Sequence, residues 1–86
     1  MQSHLTMSAY IPINCSYYDE LEAAAVQRRQ AVIVYRQDDG STAEVTTRIT
    51  NLYTRNKEEF MVLETGLEFR LDRLVSLDGK VPPLAC

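Results

Sequence analysis

Asp19, Glu20 and Glu22 crowd one short stretch behind Tyr17 and Tyr18, and Val26 follows soon after. At helical spacing, Asp19, Glu22 and Val26 share one face. They would present two negative charges beside an apolar side chain, which is a chemistry of docking rather than of bond making. A second polar group is Arg55, Asn56 and Lys57, with Tyr53 just before it, and Phe69 stands next to Arg70. Cations beside aromatic rings are what a nucleic-acid groove uses, because rings stack on bases and cations neutralise phosphates.

Other reactive types do not assemble. Cys15 and Cys86 stand at opposite ends of the chain, and His4 is the sole histidine. A metal centre needs several convergent ligands, and a nucleophilic cysteine needs a positioned base. Asp38 and Asp39 precede Gly40 and read as a turn. No glycine-rich phosphate loop is present. The sequence therefore points away from an enzyme, a metal site or a cofactor.

Charge bears on the partner. Nine basic residues stand against 12 acidic ones, a net charge of −3. Phosphate neutralisation drives nucleic-acid affinity, so this balance favours a basic protein partner over direct RNA binding. Two cysteines make no disulfide framework. Neither a membrane-length apolar run nor a signal-peptide pattern is visible. The reading is a reduced, cytoplasmic protein.

The 86 residues suffice for one domain. Residues 1–9 lack periodicity and read as disordered, with a single domain over 10–86. Pro12 biases Ile11 to an extended conformation. Ser16, with Asp19 three residues on, has capping-box spacing, and the spacing predicts a helix over about 17–29. Tyr17, Tyr18, Leu21, Ala24, Ala25 and Arg28 form its core side. Asp19, Glu22, Ala23 and Val26 form its outer side, and Arg28 and Arg29 suit its C-terminal dipole.

From residue 31 the period falls to two. Strands are predicted at Ala31–Arg36, Thr42–Thr50, Glu59–Glu64, Leu67–Asp72 and Leu74–Leu77, with turns at Asp39-Gly40, Arg55–Glu58 and Thr65-Gly66. From Ile49 to Leu52 the apolar parity slips, which predicts a bulge or bend. The expected core is Leu21, Ile33, Val45, Ile49, Phe60, Val62, Phe69, Leu71 and Val75, with Tyr53 also inside. A leading helix and five uninterrupted short strands, with no helix inserted among them, give a mostly β, α+β fold. The predicted form is a five-stranded Sm-like barrel.

Pro12-Ile13-Asn14-Cys15, followed by Tyr18-Asp19-Glu20-Leu21-Glu22, resembles the opening signature of the Rho-binding antiterminator family, Rof or YaeO. Phe69-Arg70-Leu71-Asp72-Arg73 resembles its second block. The likeness extends over about residues 10–78. It implies a bacterial protein with an N-terminal helix on an Sm-like barrel. Such a protein binds the N-terminal RNA-binding domain of the termination factor Rho, blocks RNA from the primary site and so inhibits termination. It implies contacts from Tyr18, Asp19 and Glu22 on the helix and from Arg55, Asn56 and Lys57 on the turn, and Val26 joins this candidate site as the apolar residue on the same outer helix face. The chain is expected to be a monomer when free. The competing reading is an Sm-like module that binds RNA itself. Leu71-Asp72-Arg73-Leu74 lacks the Arg-Gly pair of Sm-type RNA binders, which counts against that alternative.

Overall fold

A computed structural model of the chain describes residues 13–83. The readings for residues 1–9, Tyr10–Pro12 and Cys86 lie outside the described residues. One helix, α1 (Cys15–Val26), precedes six strands: β1 (Ala31–Arg36), β2 (Thr42–Thr47), β3 (Ile49–Arg55), β4 (Glu58–Leu63), β5 (Glu68–Arg70) and β6 (Leu74–Leu77). A single 3₁₀ turn, Leu71–Arg73, joins β5 to β6. No described helix is long and apolar enough to cross a membrane.

The helix starts two residues before the predicted position. Asn14, not Ser16, is the N-cap, and its side-chain oxygen accepts from the Tyr17 backbone N–H at 3.1 Å. Both residue types cap well. The choice of Asn14 brings Ser16 into the first turn and leaves Asp19 beyond it, so no capping box forms. The helix ends at Val26 rather than near 29. Arg28 takes φ +54°. Its N–H bonds the Ala25 carbonyl and that of Arg29 bonds Ala24. This is a Schellman closure with a non-glycine residue in the left-handed position. The Arg48 guanidinium holds the Arg28 carbonyl at 2.9 Å and pairs with Glu64 at 3.2 Å. Arg28 therefore lies outside the helix and off its core side.

The strands form two three-stranded antiparallel sheets, β2-β1-β6 and β3-β4-β5. This differs from five strands in one closed barrel. The predicted long second strand is split at Arg48 into β2 and β3, and each half pairs in a different sheet. The parity slip is confirmed as a register shift between Ile49 and Asn51. Thr50 is the extra residue there, and its hydroxyl donates to the Val62 carbonyl at 3.2 Å. The β1–β2 hairpin turns at Asp39-Gly40 as predicted. Gly40 has φ +90°, and Asp39 accepts from the Ser41 N–H at 2.9 Å.

Tyr17, Leu21 and Ala24 of α1 are buried against Ile33, Ile49, Met61, Leu63, Phe69, Leu71, Leu74 and Leu77. The predicted helix core side is thus correct for Tyr17, Leu21 and Ala24, with Tyr18 and Ala25 packed at its edge. On β4 the register is the reverse of the expected one: Met61 and Leu63 are buried, while Phe60 and Val62 are half-buried on the outer face. Val45 and Val75 are also only half-buried. Tyr53 lies outside the core and stacks on Phe60, with ring centroids 5.1 Å apart. Cys15 is disulfide-bonded, so the reduced state expected from composition does not describe it.

Candidate partner-binding site

Helix α1 packs across β3. Its start is tied to the neighbouring strand, because the Ile13 N–H donates to the Glu59 carboxylate at 3.1 Å. Tyr18 is half-buried at this end, hydrogen-bonded to Thr54 at the tip of β3. Burial raises the Tyr18 phenol above its ordinary pKa, and the charges of Glu22 and Glu59 push it further. The Thr54 hydrogen bond opposes that rise and links the helix to the strand.

Asp19, Glu22 and Val26 point outward, as helical spacing predicts. Val26 is 82% exposed. The carboxylates differ from most others in the chain. Glu20 pairs with Lys80, Glu58 and Asp72 with Arg70, Glu64 with Arg48, Asp38 with Arg73 and Asp78 with Arg29. Glu59 and Glu68 accept from Ile13 and Tyr53, and Asp39 from Ser41. Asp19 and Glu22 make no ion pair or hydrogen bond among the described residues, and outside this face only Glu44 shares that condition. Two uncommitted negative charges thus stand on one helix face with an exposed valine at its end.

The structure places the turn residues differently from the helix. Asn56 and Lys57 have φ +53° and +65°, the two-residue hairpin geometry whose strand twist suits antiparallel pairing. Arg55 lies over the Phe60 and Tyr53 rings, 5.4 and 6.0 Å from their centroids. Successive strand residues face opposite sides. Leu52 and Thr54 face the helix side, so Tyr53 and Arg55 face away from it. Thr54 brings the tip close to Tyr18 in space, but the Arg55 guanidinium occupies the other face of the sheet. The helix residues therefore form one surface, and Arg55 does not join it.

Lys57 occupies a conformation that glycine adopts without strain. Lys57→Gly creates the favoured Asn-Gly turn and is expected to stabilise the fold by about 0.5 to 1 kcal/mol, read as a rise in melting temperature.

Sequence reasoning missed the other half of the surface. Glu22, Ala25 and Val26 border an open groove of about 420 Å³ whose opposite wall is Thr50, Asn51 and Leu52. The parity slip at Ile49–Leu52 was its only trace: the bulge gives β3 an extra residue beside the helix. Among the described residues, no His, Cys, Asp and Glu side chains gather as a metal-binding group. Compared with known proteins, the chain matches no family model and no curated protein.

Proposed function

We propose that this chain is an inhibitor of Rho-dependent transcription termination that docks α1 on the RNA-binding domain of Rho and keeps RNA from the primary site. The observation that carries the reading is the pair of uncommitted carboxylates, Asp19 and Glu22, beside exposed Val26 on one helix face. An RNA-binding groove is basic and lined with rings. An acidic helix with an apolar end complements it in charge and provides no phosphate to be read.

The resemblance in Pro12–Cys15 and Tyr18–Glu22 supports the partner's identity. The strand order supports an Sm-like fold. β2 runs into β3 through Arg48, so the six strands read as five in the order β6-β1-β2/β3-β4-β5, with a 3₁₀ turn between the last two. On this reading the protein acts in the bacterial cytoplasm, as a monomer when free, without cofactor or metal.

The test is Glu22→Lys, with Asp19→Lys beside it. Asp19 lies past the first turn, so neither substitution removes a cap. Each places like charge against a basic groove, a juxtaposition worth several kcal/mol, or roughly a 100-fold loss of Rho binding. RNA binding by purified Rho is measured with and without each variant, and melts confirm folding. Inhibition by wild type should also weaken with salt, because exposed charges are screened over ~8 to 10 Å. A folded Glu22→Lys that displaces RNA as well as wild type does would overturn the charge argument. Direct binding of pyrimidine-rich RNA by the chain alone would favour the RNA-module reading instead.

A further inference from the structure

The groove between α1 and β3 joins two kinds of surface that seldom suit one ligand. Val26, Ala25 and Leu52 give it an aliphatic floor, and Val26 and Val81 are the large apolar residues left most exposed among those described. Its rim is polar: Glu22 on the helix side, Thr50 and Asn51 on the strand side. Glu22 has no ion-pair partner among the described residues. Beyond Thr50 stand Arg28 and Arg48. Arg48 is committed to the Arg28 carbonyl and to Glu64, so the negative end of the groove is the Glu22 end.

We infer that this groove receives a single long basic side chain, arginine or lysine, from a folded protein partner, with its methylene stem on Val26 and Leu52 and its charged head at Glu22. The partner's identity rests on the Rho reading above, whereas the chemistry of the occupant does not. A purely apolar occupant would strip water from the Glu22 carboxylate without replacing its hydrogen bonds, which is unfavourable. An acidic occupant is repelled by Glu22 and Asp19. A basic side chain satisfies both halves, because its stem covers apolar surface while its head stays with the carboxylate. The interface then extends from α1 toward the β3 bulge. It does not extend to the hairpin tip, where Arg55 faces the other side of the sheet.

Two variants test this on the intact chain. Val26→Ser removes the apolar floor, and Glu22→Gln removes the charge that would hold the basic head. Both positions are exposed, so melts are expected to match wild type. Each variant should bind Rho at least about tenfold more weakly. If wild type binds Rho and both folded variants bind equally well, the groove is not the contact, while the Rho reading stands. If wild type does not bind Rho, that reading fails, and the groove is judged by amide chemical-shift titration with two peptides, acetyl-Leu-Arg-Leu-amide and acetyl-Leu-Glu-Leu-amide. Shifts at Val26, Asn51 and Leu52 with the arginine peptide alone support the inference. Equal shifts with both peptides, or none with either, overturn it.

Discussion

Met61→Ala is expected to lower the unfolding free energy by about 2 to 5 kcal/mol, and Phe60→Ala by only about 1 to 2 kcal/mol. The larger side chain has the smaller effect because of where each one points. Met61 is fully buried in the core cluster that includes Leu21, Ile33 and Leu63. Its truncation leaves a cavity that the packed helix and two sheets cannot close. Phe60 lies on the outer face, where its ring contacts Tyr53 and the Arg55 guanidinium and keeps part of its surface in water. Denaturant melts of both variants check the order, and a reversed order would put Phe60 inside. A domain of this size holds only about 4 to 13 kcal/mol in total, so Met61→Ala approaches the limit of folding. Met61→Leu conserves volume and should cost under ~1.5 kcal/mol, which keeps the comparison measurable.

That register was not legible in the sequence, for a physical reason. From Phe60 to Leu63 every residue is apolar, so alternation offers both faces equally. The choice is made by pairing. Met61 sits opposite Leu52 and Phe69, while Phe60 sits opposite Tyr53 and Arg70. In α1 the pattern was unambiguous, because Tyr17, Leu21 and Ala24 recur at helical spacing with charges between them, and the predicted face was correct. The helix start was ambiguous because Asn14 and Ser16 are both good caps. The outward placement of Asp19, Glu22 and Val26 followed from the same spacing. The wall formed by Thr50, Asn51 and Leu52 depends on how a bulged strand lies under a helix, which no local pattern encodes. Arg55 shows the opposite failing: strand alternation from Leu52 would have put it on the far face, but the turn was read as a unit.

Raising the pH from about 10 to about 12 is expected to destabilise the fold, with Tyr17 as the largest contributor. Tyr17 is buried, and its hydroxyl donates to the Lys80 carbonyl at 2.7 Å, fastening the start of α1 to the segment after β6. Burial raises its pKa to about 12, with Glu20 and Asp78 adding to the rise and the hydrogen bond with the Leu77 backbone opposing it. In the unfolded chain the phenol titrates near 10. Below pH 10 both states hold the proton, and the contribution is complete. Between about 10 and 12 the unfolded state loses its proton first, so stability falls as pH rises. The loss reaches roughly 3 kcal/mol above pH 12. Tyr18 is shifted in the same direction and adds to the slope. Tyr17→Phe separates the cause: it removes the hydrogen bond, at about 1 kcal/mol near neutral pH, and with it the titrating group. Its stability should therefore decline less steeply than that of wild type across the alkaline range. Denaturant melts at intervals from pH 8 to 12.5 measure both slopes. Parallel slopes would show that Tyr17 does not govern alkaline unfolding, and the decline would then belong to Tyr18 and the remaining titrating groups.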